Sequence, residues 1–114
     1  MTDEDALYLS HIGEAIGRIE DYTQEGREVF LHTPLIQDAV IRNFEIIGEA
    51  TKNLSDELRA ENSDIRWRQI AGFRDMLIHE YARVNLSRVW NILEQDLPLL
   101  KKRVSELLDS LGKA

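Results

Sequence analysis

The segment Trp67–Trp90, WRQIAGFRDMLIHEYARVNLSRVW, holds both tryptophans of the chain and apolar residues at helical spacing. Five arginines lie from Arg66 to Arg88 against two acidic residues, which gives a local charge of +3 in a chain whose net charge is −7. An acidic protein repels polyanions overall, so a positive island of this kind is a candidate anion site.

The composition predicts one globular domain over residues 1–114, with 43% hydrophobic and 31% charged residues. The absence of cysteine excludes disulfides, thiol catalysis and cysteine-ligated metals. The acidic N-terminus is unlike a secretory signal, and no apolar run approaches the ~20 residues of a membrane helix. We therefore expect a cytoplasmic protein whose contacts with nucleic acid are local, because non-specific binding needs broad positive charge.

On the N-terminal side of this segment, the apolar pattern predicts a first helix from about Asp5 to Arg27 and a connection over residues 28–32. Thr33 and Pro34 predict the N-cap and first position of a second helix that reaches about Asn53. This helix is apolar on more than one face, so we expect it to be central. Within it, Gly48 is expected to allow a close crossing with another helix.

Beyond the second helix, Ser55 predicts a short capped turn before the third helix, and Asn85 predicts the cap of the last one. Pro98 lies inside the last helix, where it removes a backbone hydrogen bond and predicts a kink, because the apolar stripe continues beyond it. The sequence therefore predicts an all-α protein, a four-main-helix up-down bundle with a short extra helical turn and a kinked last helix.

Four residues with reactive or binding side chains stand together in this segment: Arg74, Asp75, His79 and Tyr81. Arginine offers a permanent two-pronged cation for phosphate, and histidine titrates near neutral pH. Cleavage of RNA without a metal needs a group that moves a proton at the 2′-hydroxyl and a cation that stabilises the phosphorane. The pattern thus fits a ribonuclease that leaves a 2′,3′-cyclic phosphate.

Helix geometry limits this interpretation, because residues five apart lie ~140° around a regular helix. Arg74 and His79 can meet only if the helix is distorted or ends near His79, or if a second copy completes the site. A purely local alternative has Asp75 and His79 joined by an i,i+4 hydrogen bond, Arg74 solvated and Tyr81 packed.

The pattern Arg74-x4-His79-x-Tyr81, with Asp75 after the arginine, resembles the signature of HepT-like toxins in the HEPN superfamily. Three further segments resemble the family as well, so that nearly the whole chain is covered in order: DAVIRNFEIIGEATKNLS (38–55), the Trp67-x2-Ile70-x2-Phe73 lead-in and VWNILEQDLPLL (89–100).

The resemblance implies a HEPN-like bundle that acts as a homodimeric, metal-independent endoribonuclease without a cofactor. Such a protein is the toxin of a type VII-like HepT/MntA pair, whose antitoxin has a nucleotidyltransferase fold of the MntA type. By this resemblance, Arg74 stabilises the scissile phosphate and His79 is the acid or base. Asp75, where the family commonly has asparagine, helps to orient the site, and Tyr81 receives AMP from the antitoxin.

Other residues are weaker candidates. We expect Glu45 to face Arg74 from the second helix, while Arg83 and Arg88 either guide RNA or are simply surface charge. The tryptophans either stack bases or, more commonly, lie in the core. His11 and His32 are isolated in sequence, so no metal site is predicted.

Two rivals to the enzyme remain open. One is a non-catalytic module that binds a nucleotide or docks a nucleotidyltransferase, and the other is a purely structural helical dimer. The net charge of −7 favours these rivals, since a ribonuclease benefits from a positive surface.

Overall fold

The structure, a computed structural model, describes residues 1–112, which form seven α-helices and one short 3₁₀ helix at Tyr81–Arg83. The all-α prediction is confirmed. The helices are α1 (Asp3–Tyr22), α2 (Arg27–His32), α3 (Pro34–Lys52), α4 (Asp56–Glu61), α5 (Trp67–His79), α6 (Leu86–Gln95) and α7 (Leu97–Gly112).

The core forms around α3, which packs against both α1 and α5, while α7 covers α1 from another side. The apolar stripe of α1 is fully buried, and each such side chain contributes roughly 1.5–3 kcal/mol through burial. Trp67 and Trp90 are only 6% and 7% exposed. Trp67 donates its indole N–H to the Asn62 carbonyl at 3.0 Å, and Trp90 packs on Phe30 with ring centroids 5.4 Å apart. Both tryptophans are therefore core residues.

The N-terminal boundaries differ from the sequence prediction. Helix α1 ends at Tyr22 instead of Arg27, and the expected connection over residues 28–32 is helical. The chain turns at Gly26, whose φ of 92° favours glycine, and α2 then places Phe30 in the core. The pattern around Phe30 was too short to indicate a helix, and the helix depends on that tertiary contact.

Two of the three predicted N-cap side chains make the expected hydrogen bonds. Ser55 and Asn85 accept hydrogen bonds from the backbone N–H groups of Leu58 and Arg88, each at 3.1 Å. Thr33 occupies the predicted N-cap position, but its hydroxyl donates to the Val29 carbonyl at 2.6 Å and so serves the end of α2.

The predicted kinked last helix is divided into two helices, α6 and α7, which the single residue Asp96 separates. Pro98 has no N–H for the carbonyl four residues earlier, which accounts for the break at this point. The apolar stripe continues across the break as predicted, because Leu97, Leu100 and Val104 are all buried.

Asp5 joins the start of α1 to the cap of α4. It is 1% exposed and accepts hydrogen bonds from the Ser55 N–H at 2.8 Å, the Ser55 hydroxyl at 2.8 Å and the Thr2 N–H at 3.2 Å. Burial by itself raises the pKa of Asp5, but the hydrogen bonds from Ser55 and Thr2 together outweigh it and lower the pKa below its ordinary value.

We expect Asp5→Ala to lower the free energy of unfolding by about 1–3 kcal/mol near neutral pH, because the Ser55 N–H loses its partner. A lowered folded-state pKa stabilises the fold above the unfolded pKa, and this contribution disappears as the pH falls through the folded value. Urea unfolding of wild type and variant should therefore differ at neutral pH and converge in acid. Asp3→Ala, in the same helical turn, is the control and should change stability by less than about 1 kcal/mol. Equal stability of wild type and Asp5→Ala at neutral pH would contradict this role.

Candidate active site

The crossing of α3 and α5 positions the candidate arginine. A Cβ atom at Gly48 would overlap the Arg74 Cβ, would lie 2.7 Å from the Arg74 Cγ and would lie 3.3 Å from the Ile70 carbonyl oxygen. Only glycine leaves room for this approach, so the predicted close crossing at Gly48 is confirmed. Beside it, Phe44 and Phe73 pack edge to face with centroids 5.4 Å apart.

Arg74 is largely buried, with its side chain 23% exposed, and it is surrounded by carboxylates. Its Nη2 pairs with the Glu49 Oε2 at 2.9 Å, and its Nη1 donates to the Asp75 Oδ1 at 3.0 Å. Within the described part of the chain, its Nε is buried and has no hydrogen-bond partner. The guanidinium is thus held at both ends of its fork, which fixes its position but also occupies the atoms that would bind a phosphate.

Asp75 lies between two cations. Its Oδ1 accepts a hydrogen bond from the Lys52 Nζ at 2.5 Å as well as from Arg74. The bond from Lys52, followed by that from Arg74, lowers the pKa of Asp75 below its usual range. Asp75 is therefore a carboxylate at neutral pH, with its charge balanced locally.

Glu45 borders the same cavity as Arg74 but is not its ion-pair partner. The structure pairs Glu45 with Arg42 at 3.7 Å, and Glu49, one helical turn later, makes the ion pair with Arg74. The reason is the register of the crossing, because Arg74 packs directly on Gly48 and so lies beside the next residue of α3.

Arg74 also borders a cavity of about 200 Å³ between α1, α3 and α5. Tyr8 and His11 reach it from α1, with their rings edge to face and 5.8 Å apart. His11 is isolated in the sequence, and no sequence signal connects it to a residue more than sixty positions away. The lining is otherwise a mixture of charged and apolar side chains: Arg42, Glu45, Ile46, Glu49, Ala50 and Ile78.

His79 and Tyr81 lie at the exposed end of the motif. Helix α5 continues to His79 and ends there, and Tyr81 begins the 3₁₀ turn with 80% of its surface exposed. A helix that runs through both residues places His79 ~140° around the axis from Arg74. His79 accordingly does not line the cavity that Arg74 borders.

The purely local alternative disagrees with these contacts. Asp75 bonds to Lys52 and Arg74 instead of His79, Arg74 is largely buried instead of solvated, and Tyr81 is exposed instead of packed. The structure therefore presents a largely buried, ion-paired arginine together with an exposed histidine and an exposed tyrosine.

Comparison with known proteins identifies the family of this chain. The family model described as "Ribonuclease HepT-like" matches residues 12–107. The chain belongs to the HepT-like ribonuclease family. This membership confirms the resemblance seen in the motif.

Two relatives of this HepT-like chain are each 43% identical to it. One, from Methanocaldococcus jannaschii, is named "Gamma-glutamylcyclotransferase and putative RNase"; the alignment covers 94% of this chain and 49% of that protein. The other, from Thermococcus cleftensis, is named "Probable ribonuclease HepT", with 88% of this chain and 92% of the relative covered. The chain thus spans about half the length of the first relative and nearly all of the second. No solved structure gives a significant match.

Arg83 and Arg88, the two arginines predicted to guide RNA, do not line the cavity that Arg74 borders. Arg88 borders a larger groove of about 640 Å³ between α5 and the α6–α7 pair, where Phe73 and Met76 contribute to an apolar floor. Arg83 is exposed in the 3₁₀ turn. Arg88 therefore lines a different cavity from the one that Arg74 borders.

Within residues 1–112 of this HepT-like chain, no group of three or more His, Asp or Glu side chains is arranged to hold a metal ion. Over the same residues, no helix combines the length and apolar character that crossing a membrane requires.

Proposed function

We propose that this HepT-like protein is a metal-independent endoribonuclease, the cytoplasmic toxin of a type VII-like HepT/MntA toxin–antitoxin pair. The observation that carries the proposal is the geometry of Arg74, a largely buried guanidinium fixed at the α3–α5 crossing and followed by an exposed His79 on the same helix. A scaffold needs neither an ion-paired, largely buried cation at the edge of a cavity nor an exposed imidazole one and a half turns further along the same helix.

The proposed reaction is an internal phosphoryl transfer. The His79 imidazole accepts the proton of the RNA 2′-hydroxyl, and that oxygen attacks the adjacent phosphorus. The bond to the 5′-oxygen breaks, and the imidazolium returns its proton to the leaving oxygen. The products are a 2′,3′-cyclic phosphate and a 5′-hydroxyl. Arg74 stabilises the negative charge of the phosphorane through which the reaction passes. Glu49 must leave Arg74 when phosphate binds, while Asp75 orients the guanidinium.

We further propose that the site forms in a homodimer. Arg74 and His79 point about 140° apart on one helix, so a single copy does not bring them to one phosphate. A two-fold axis near the end of α5 would place Arg74 of one protomer beside the partner's His79. The exposed Ile78, next to His79, gives this surface apolar character.

Regulation is proposed to act through Tyr81. Its 80% exposure leaves the phenol accessible to a nucleotidyltransferase-fold antitoxin. The phenol oxygen would attack the α-phosphorus of ATP, pyrophosphate would leave, and the phenol proton would pass to solvent. The attached AMP adds bulk and negative charge beside His79 and would exclude the RNA phosphate.

The test is cleavage of a tRNA pool and total RNA by the purified protein in excess EDTA, with analysis of the product ends. We expect cyclic phosphate ends from wild type and from Tyr81→Phe, since the phenol takes no part in proton transfer. Treatment with the nucleotidyltransferase and ATP should silence wild type and leave Tyr81→Phe active. Absence of cleavage by wild-type protein, with Tyr81 shown by mass spectrometry to be unmodified, would refute the proposal.

The second candidate is a non-catalytic module that binds a nucleotide or docks a nucleotidyltransferase. The observation that favours it is the pairing of both Nη atoms of Arg74 with Glu49 and Asp75, which leaves the guanidinium without a vacant fork. This candidate predicts binding of the nucleotidyltransferase or of AMP by a protein that cleaves no RNA.

A further inference from the structure

We propose that Lys52 is a positioning residue for the proposed RNA-cleaving site, where its ammonium group holds Asp75 so that Asp75 in turn holds Arg74. This inference rests on the proposed ribonuclease function. Lys52 stands 22 positions before Arg74, outside the motif segment, and is the last residue of α3.

The contacts form a chain across the helix crossing. The Lys52 Nζ donates to the Asp75 Oδ1 at 2.5 Å, and the same oxygen accepts from the Arg74 Nη1 at 3.0 Å. Glu49 completes the chain on the Arg74 Nη2 at 2.9 Å. One carboxylate oxygen therefore connects the end of α3 to the candidate catalytic guanidinium on α5.

The charges explain why this protein would need the lysine. Asp75 brings a negative charge to a place that must accept an RNA phosphate, and Glu49 brings another. Glu49 is about half-exposed, and within residues 1–112 its carboxylate forms an ion pair with Arg74 alone, so it can move away when phosphate enters. Asp75 adjoins Arg74 in sequence and accepts hydrogen bonds from both Lys52 and Arg74, so its charge is balanced in place. Lys52 supplies that balance and keeps the Asp75 oxygen directed toward Arg74.

The simpler explanation of Lys52 is a surface ion pair at the C-terminal end of a helix, where a cation is favourable. That explanation predicts a small change in stability and none in the rate of cleavage. It does not account for the Asp75 Oδ1 that Lys52 and Arg74 share, since a surface ion pair between Lys52 and Asp75 does not require Arg74.

The test is a double-mutant cycle for RNA cleavage with Lys52→Met, Asp75→Asn and the double variant. We expect Lys52→Met to lower kcat by about ten- to a hundredfold with little change in KM, because a misplaced guanidinium weakens transition-state contacts. In the Asp75→Asn background the same change should alter kcat by less than about twofold, since the residue through which Lys52 acts is already neutral. Lys52→Arg should restore most of the rate.

A matched control is Lys101→Met, which removes an exposed ion pair to Glu20 of 2.9 Å on another face and should leave kcat unchanged. If Lys52→Met instead raised KM, and did so equally in the wild-type and Asp75→Asn backgrounds, Lys52 would contact RNA directly. That result would overturn the inference. Wild-type kcat in Lys52→Met would overturn it as well.

The order of the Arg74 side chain separates a failure of this inference from a failure of the proposed function. NMR relaxation of the Arg74 Nε–Hε group should report a rigid side chain in wild type and in Lys101→Met, and a mobile one in Lys52→Met. A wild-type protein that cleaves no RNA would remove the proposed function. An unchanged Arg74 signal in Lys52→Met would overturn the inference whatever the activity.

Discussion

Replacement of Arg74 or His79 by alanine is expected to lower kcat for RNA cleavage by about two to four orders of magnitude in each case. The loss at position 74 removes the cation that stabilises the phosphorane, and the loss at position 79 removes the group that moves the proton. Both side chains stabilise the transition state more than the bound substrate, so kcat should fall far more than KM rises.

Two controls make this result specific. His32→Ala removes an exposed histidine whose Nδ1 lies 2.8 Å from the Glu28 carbonyl oxygen of its own helix, and Arg27→Ala removes an exposed arginine paired with Glu28. Both should retain wild-type kcat. Arg74→Lys should recover only part of the activity, because an ammonium group cannot reproduce the two-pronged geometry of the guanidinium. Full activity in either alanine variant would remove that residue from the mechanism.

Gly48→Ala is expected to destabilise the protein by about 1–3 kcal/mol or more, although alanine favours helix more than glycine does. The added Cβ would overlap the Arg74 Cβ, which belongs to the stem of that side chain and cannot rotate away. Relief requires α3 and α5 to separate. The shift would also displace Arg74 from Glu49 and Asp75, so cleavage should weaken in parallel with stability.

The matched control is Gly17→Ala in α1, where an added Cβ meets nothing within 4 Å. That change should leave stability unchanged or raise it by up to about 1 kcal/mol. Chemical denaturation of the two variants compares the same substitution in two helices. A Gly48→Ala protein as stable as wild type would contradict the close approach of α3 and α5 at this position.

Patterns with short-range causes were predictable from the sequence. The stripe of α1, the caps at Ser55 and Asn85 and the interruption near Pro98 follow from side chains within a turn of one another. The end of α1 and the presence of α2 were not predictable, because α2 is stabilised by burial of the Phe30 ring in the core. Local propensity does not encode that contact.

The residues of the candidate site also fall into two groups, those that a local sequence pattern indicates and those that only the packing of helices brings together. The candidates Arg74, His79 and Tyr81 could be proposed from the sequence because they form one motif within eight residues. Glu49 was missed in favour of Glu45, since a choice between successive turns of α3 depends on the crossing at Gly48. Lys52 and His11 lie far from the motif in sequence, and only the packing of α1 and α3 against α5 brings them to it. No periodic pattern in the sequence indicates such contacts.

The most direct test of the account is to mix Arg74→Ala with His79→Ala under conditions that exchange subunits and then to measure RNA cleavage in EDTA. If the site joins Arg74 of one protomer to the partner's His79, each variant alone is inactive, while a mixed dimer has one complete site. Random pairing should then restore about a quarter of wild-type activity. A mixture as inactive as its components, beside an active wild type and with subunit exchange demonstrated, would contradict the shared site.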